Sequence, residues 1–149
     1  MARQPRWYFD ADTIGLGKLV APARRDVTWP GDTGERAKER LRQEPSPITA
    51  ADTPDELWIP RVTAAGMAIV TRDKHILSRT SEIDAVIASG ARMFALTSNE
   101  SLDRWGLLEV FMSRWRDLEE AAAEPGPYVY AVTRSQIRRL LPEEPGTGP

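Results

Sequence analysis

Short apolar runs recur along this chain, separated by stretches with helical or charged character. Residues 6–9 (Arg-Trp-Tyr-Phe) and 68–71 (Ala-Ile-Val-Thr) are brief, apolar, and rich in aromatic or β-branched side chains, the pattern of buried strands. Residues 27–29, ended by Pro30-Gly31-Asp32, and residues 92–96 predict two more. Residues 128–133 read as a further strand, with 137–141 returning as its hairpin partner.

The intervening segments predict helices. Residues 13–20 form a short one softened by Gly15 and Gly17, and 35–42 read as an exposed charged helix, followed by a loop over 44–52. Thr53-Pro54-Asp55-Glu56 is a helix start, with Thr53 as N-cap and Glu56 closing a capping box. Pro60 predicts a kink in that helix, or a first turn followed by a second helix ending near Gly66, because its ring clashes with the carbonyl of Glu56. Ser81 caps a helix that turns Ile83, Val86 and Ile87 inward and stops at Gly90. The longest helix is expected over 101–124, burying Trp105, Leu108, Met112, Trp115 and Leu118, until Pro125-Gly126-Pro127 breaks it. Strands alternating with helices specify an α/β fold, a mostly parallel central sheet flanked by helices. One domain over 1–141 and a disordered Pro/Gly-rich tail over 142–149 complete the expected organisation.

Composition narrows the function. Twenty basic and 22 acidic side chains leave a net charge of −2, so no global basic field advertises nucleic acid. Locally, 35–42 carries four basic and two acidic residues, and 126–141 has Arg134, Arg138 and Arg139 with no acid. The absence of cysteine removes disulfides, thiolate zinc sites and cysteine nucleophiles, and is compatible with a cytoplasmic location. No apolar run reaches membrane-spanning length, and no signal-peptide h-region is expected at the start. The single histidine, His75, excludes mechanisms that need a histidine pair and reads as a surface residue.

The candidate chemistry lies at strand ends. Asp10 follows the first strand, Asp73 follows the 68–71 strand, and Asp55 and Glu56 open a helix between them. Open α/β sheets bind ligands at the carboxyl ends of their strands. Carboxylates gathered there repel one another unless a cation intervenes, and a hard divalent ion takes oxygen ligands while keeping waters for chemistry. Asp12 can point the same way as Asp10, and Arg72 and Lys74 flank Asp73 as candidate phosphate contacts. Each residue also has a plain structural reading. Asp10-Ala-Asp12 suits a helix cap, Asp73 a turn, Asp55 and Glu56 the positive end of a helix dipole, and Arg72 and Lys74 simple surface charge. Of the five tryptophans, all but Trp29 are assigned to the core.

The blocks Trp-Tyr-Phe-Asp10, Thr-Pro-Asp55-Glu-Leu-Trp58-Ile-Pro60 and Ile-Val-Thr-Arg-Asp73-Lys resemble the PIN domain superfamily. The similarity is to its compact actinobacterial branch, related to VapC-type toxin ribonucleases, and runs over about 6–96. That resemblance implies a Mg2+- or Mn2+-dependent endoribonuclease, RNA as substrate, a cognate antitoxin as partner, and homodimers. It places Asp10, Asp55 (or Glu56) and Asp73 as metal ligands; beside them Asp12 is the candidate to orient or deprotonate the attacking water. The fourth acid of many PIN domains is replaced here by Thr97-Ser98-Asn99-Glu100. Two competing readings stand beside it. One is a non-catalytic PIN-like module that binds RNA or protein. The other rests on Phe-Asp10-Ala-Asp12-Thr13, which is similar to the first motif of haloacid-dehalogenase-type phosphatases and would make Asp10 a nucleophile.

Overall fold

A computed structural model describes residues 4–36, 43–97 and 102–142. Its centre is a six-stranded sheet of order β2-β1-β3-β4-β5-β6, formed by β1 (Trp7–Phe9), β2 (Val27–Thr28), β3 (Ala68–Thr71), β4 (Arg92–Leu96), β5 (Tyr128–Val132) and β6 (Ile137–Leu141). The first five strands are mutually parallel, and β6 closes one edge as the antiparallel partner of β5. The helices are α1 (Ile14–Val20), α2 (Asp55–Ala64), α3 (Thr80–Ser89), α4 (Arg104–Ser113) and α5 (Trp115–Ala122).

Period-two alternation assigns each strand residue to one of two cores. Trp7, Phe9, Val70 and Phe94 point to one face, where Leu16, Leu107, Phe111 and Leu118 from α1, α4 and α5 cover them. Tyr8, Ile69, Met93 and Val129 point to the other, under Trp58, Ile59 and Val62 of α2 and Val86 of α3. Both faces are therefore dry, which is why the parallel strands read as unbroken apolar runs. On the first face Gly17 lets α1 approach closely, since a Cβ there would meet the Phe9 Cβ at 3.1 Å and the Trp29 ring at 3.2 Å.

Beyond the end of β2, the buried Asp32 carboxylate accepts both Arg36 amino groups (2.8 and 2.9 Å), the Thr28 hydroxyl (2.7 Å) and the Gly34 amide (2.9 Å). Burial opposes its ionisation, but the Arg36 and Gly34 hydrogen bonds overcome that and hold Asp32 below the usual carboxylate range. What reads in sequence as a plain turn is a charged anchor for the sheet edge.

Several expectations need correction. Pro54, not Thr53, precedes the first turn of α2, and the Thr53 hydroxyl turns back to the Ala50 carbonyl at 2.6 Å, so no capping box forms. Pro60 lies inside α2, which runs as one helix; Pro60 itself is exposed. In α3, Val86 is buried but Ile87 is 57% exposed, and the Ser81 hydroxyl bonds Asp55 instead of capping its own helix. Gly90 does end α3, with φ 76°.

The long helix divides at Arg114 into α4 and α5, and the face buried is Leu107, Val110, Phe111, Leu118 and Ala122. Trp105 (74% exposed) and Met112 (67%) face outward. Because α4 is apolar around most of its circumference, two stripes satisfy the same spacing and periodicity does not choose between them. Of the helix expected over 35–42, Glu35 and Arg36 are irregular, and 37–42 lies outside the described residues. So do Ser98-Asn99-Glu100 and all of the tail after Pro142.

Candidate active site

Strand register builds the site. Phe9 pairs with Val70, so the next residue along each strand, Asp10 and Thr71, emerge side by side at the carboxyl end of the sheet. The neighbours of β1 are β2 on one side and β3 on the other, and chain connections leave in opposite directions there. Such a switch point leaves a crevice between the diverging connections.

The chain then turns tightly. The Asp10 amide donates to the Val70 carbonyl (2.9 Å), and the Thr13 hydroxyl spans the Asp10 and Val70 carbonyls, both at 3.1 Å. This 3-10 turn (Ala11–Thr13) brings Asp12 back over the end of β3, where it accepts the Arg72 amide at 3.3 Å. Asp10 caps the turn through the Ala11 amide at 2.6 Å, as the simpler reading of its position required.

The buried Thr71 hydroxyl sits 3.3 Å from Asp10 Oδ2 and 3.2 and 3.1 Å from the two Asp12 oxygens. A hydroxyl has one proton to donate, so it satisfies one carboxylate at a time. The second carboxyl is best satisfied when it carries its own proton. Consistently, burial and then the Asp10 charge push Asp12 up to about 7, and burial, with a smaller push from Asp55, raises Asp10.

Two helix starts deliver further acids. Asp55, half-buried in the first turn of α2, accepts the Trp58 indole N–H at 2.9 Å and the Ser81 hydroxyl at 2.7 Å, which ties α2 to α3. Trp58 in turn stacks on Tyr8 with ring centroids 5.3 Å apart. Glu56, the other candidate at this position, is exposed.

Glu82, in the first turn of α3, was not singled out from the sequence. Burial pushes it up to about 8, reinforced by Asp10, Asp55, Asp12 and Asp73 in that order, and its Oε2 is buried without a hydrogen-bond partner among the described residues. The available signal was an acid in the first turn of the helix that follows the Asp73 strand. Thr71 was equally overlooked, although it stands in the quoted Thr-Arg-Asp block.

Asp73 is differently placed. It accepts Arg79 Nε at 2.7 Å and the His75 amide at 2.8 Å, and Arg79 is its ion-pair partner. Burial opposes ionisation, yet these hydrogen bonds and the Arg79 and His75 charges hold Asp73 below its ordinary range. Arg72 offers its amide to Asp12, while Lys74 is exposed and lines a neighbouring cleft.

Among the described residues no three acids stand close enough, as placed, to enclose an ion. The donor set nevertheless suits a hard divalent cation. Mg2+ commonly uses one or two carboxylates plus waters and substrate phosphates, and Asp10 with Asp12 supplies such a pair. An orphaned Glu82 oxygen and carboxyls that raise one another's proton affinity mark a site short of positive charge.

Among the described residues no helix is long and apolar enough to cross a membrane. Comparison with known proteins adds one match. A family model described as a PIN like domain matches residues 16–98, from α1 to just past β4. That span includes Asp55, Thr71, Asp73 and Glu82 and begins after Asp10 and Asp12. No curated protein and no solved structure matches the chain.

Proposed function

Because the chain belongs to the PIN-like domain family, whose members are generally metal-dependent nucleases, we propose that it is a Mg2+- or Mn2+-dependent endoribonuclease. The observation that carries this reading is the meeting of Asp10 and Asp12 at the Thr71 hydroxyl on the β1/β3 switch point, with the Glu82 carboxyl raised by burial and by the charges of those acids. The resemblance to VapC-type toxins extends the proposal to a cytoplasmic toxin held by a cognate antitoxin, dimeric as such toxins commonly are.

In this reading Asp10 and Asp12 hold the ion, with Asp55, Asp73 and Glu82 as the outer acids. Asp73 joins them only by releasing Arg79. The ion, when bound, supplies water activation and neutralises phosphate charge. Thr71 fixes the Asp10 and Asp12 carboxyls through its shared hydroxyl. Asp12, which also accepts the Arg72 amide, suits the orientation of an attacking water and the acceptance of its proton. In-line attack then leaves a 5′-phosphate and a 3′-hydroxyl.

A second reading, an RNA- or protein-binding module without catalysis, is favoured by one observation, that no three described acids enclose an ion site. Mn2+ titration by calorimetry together with a cleavage assay on structured RNAs separates the two. The nuclease requires saturable Mn2+ binding and EDTA-sensitive cleavage, with Asp12→Asn lowering the cleavage rate by about a hundredfold or more. Absence of both metal binding and cleavage in the wild type leaves the binding module.

A further inference from the structure

The sheet has two unequal edges. β2 is two residues long, whereas β6 is five, and among the described residues no strand pairs with its outer side. Backbone direction along the hairpin decides which groups stand there. The Tyr128 amide donates to the Ala91 carbonyl and the Val132 carbonyl accepts the Thr97 amide, both at 3.0 Å, so Tyr128, Tyr130 and Val132 turn their backbone groups to β4. Val129, Ala131 and Thr133 turn theirs to β6, and the Thr133 amide donates to the Gln136 carbonyl at 2.9 Å. Val132 and Tyr130 lie opposite Ile137 and Arg139. In an antiparallel ladder such pairs exchange no hydrogen bond, so Ile137 and Arg139 present N–H and C=O to the open edge.

The side chains beside that edge are cationic and apolar. Arg138 and Leu140 border a cleft of about 330 Å3, together with Lys74, His75 and the exposed Leu77. No acid lines this cleft, and among the described residues neither Lys74 nor Arg138 is hydrogen-bonded or ion-paired. We propose that β6 takes up an extended acidic peptide of a partner protein as a seventh strand of the sheet. An open strand edge recognises peptide backbone, with affinity from main-chain hydrogen bonds and specificity from alternate side chains. Charge selects the occupant. Self-pairing of two β6 strands gathers the Arg138-Arg139 pair of each copy at one junction, and like charges across a ladder destabilise it. An acidic strand meets the same arginines favourably. Nucleic acid matches the charge but carries no row of N–H and C=O groups for Ile137 and Arg139. A strand lying there sets one side chain beside Arg138, where an acid fits, and the next on that face beside Leu140, where an apolar group reaches the cleft. No acid of the candidate active site takes part, so this surface is independent of the ribonuclease reading.

Amide hydrogen exchange by NMR on the full chain reads this edge directly. In the free protein the Ile137 and Arg139 amides are expected to exchange at least about tenfold faster than the Arg138 amide, which faces β5. The probe is a labelled peptide of about ten residues, β-branched around two adjacent acids, beside the same peptide with lysines in place of the acids. The acidic peptide is expected to bind saturably in fluorescence anisotropy and to slow exchange at Ile137 and Arg139 by about tenfold or more. The lysine peptide is expected to bind at least about tenfold more weakly, and Arg138→Glu to weaken the acidic peptide by about tenfold. Ile137→Pro removes one outward N–H while keeping the charge and the ladder to β5, and is expected to weaken it equally. Thermal melts check that the variants fold, and exchange in the wild type stays decisive if Ile137→Pro does not.

No saturable binding of the acidic peptide, or binding that leaves exchange at Ile137 and Arg139 unchanged, overturns the assignment. Equal binding of the lysine peptide does the same. Protection of both amides in the protein alone, rising with its concentration, makes the edge an interface between two copies instead. Binding of a single-stranded oligoribonucleotide but not of the acidic peptide makes the patch a nucleic-acid contact, and either result sinks strand addition. Mn2+-dependent cleavage is scored separately, and its absence leaves the peptide site standing.

Discussion

Glu82 concentrates the conflict in this site. Its Oε2 is buried with no donor among the described residues, and the charges of four aspartates act on it. Replacement by glutamine keeps the shape and removes the charge, so Glu82→Gln should raise the Tm of the metal-free protein at pH 8.5 by a few degrees. If Glu82 serves the ion, the same change should weaken Mn2+ binding about tenfold or more, the scale of losses at groups that support metal ligands. Calorimetry and thermal melts on one sample read both. A lower Tm with unchanged Mn2+ affinity would instead make Glu82 a packing residue. Neither its role nor that of Thr71 was legible in the sequence, where an acid in a first helical turn already has a sufficient explanation in the helix dipole.

At the scale of elements, α4 shows how a pattern fails when a helix is apolar on most sides. Phe111 and Met112 are neighbours in sequence, yet Phe111 packs on Phe9 (ring centroids 5.4 Å) and Met112 faces water. Phe111→Ala should therefore cost about 3–5 kcal/mol in urea denaturation, while Met112→Ala should stay within about 0.5 kcal/mol. The sequence-based stripe requires the reverse order. The β2 edge gives a second case. Asp32→Ala strands Arg36 beside the Val27 carbonyl and leaves Thr28 and Gly34 without their acceptor. A loss of about 3 kcal/mol is expected, the scale for breaking one side of a buried ion pair, and the same denaturation curves measure it.

Across the whole molecule, the acid cluster makes stability depend on pH and on cations. Asp12 and Glu82 bind protons more tightly in the folded chain than in the unfolded one. Their contribution is therefore complete below about pH 4, the ordinary carboxylate range, and is lost as pH rises through about 7 and 8. Asp73 works in the opposite sense, and its contribution disappears on acidification below the ordinary carboxylate range. In EDTA the Tm should fall between pH 6 and pH 8.5, and Asp12→Asn should flatten that fall. Mn2+ at a hundred times its dissociation constant should restore about 2.7 kcal/mol, or about 5–10 °C for a domain of this size. A Tm independent of pH over this window and unmoved by Mn2+ would mean that the acids are held apart in solution.

The sequence by itself determined the α/β class, the strands over 68–71 and 92–96, the Gly90 stop, and the hairpin at the edge of the sheet. Each is a local matter of propensity, period and turn chemistry, readable wherever only one pattern fits. It also put Asp10 and Asp73 at strand ends, because an apolar run followed by an acid marks the place where a buried strand leaves the core. Only the tertiary structure decided which face of α4 is buried, which acid meets which, and that Asp73 is held by Arg79 while the Glu82 Oε2 is left without a hydrogen-bond partner among the described residues. Those outcomes depend on strand order and register, which bring residue 10 beside residue 71 and residue 55 beside residue 81. Contacts across such separations leave no local period in the chain, so they become visible only when the sheet is assembled.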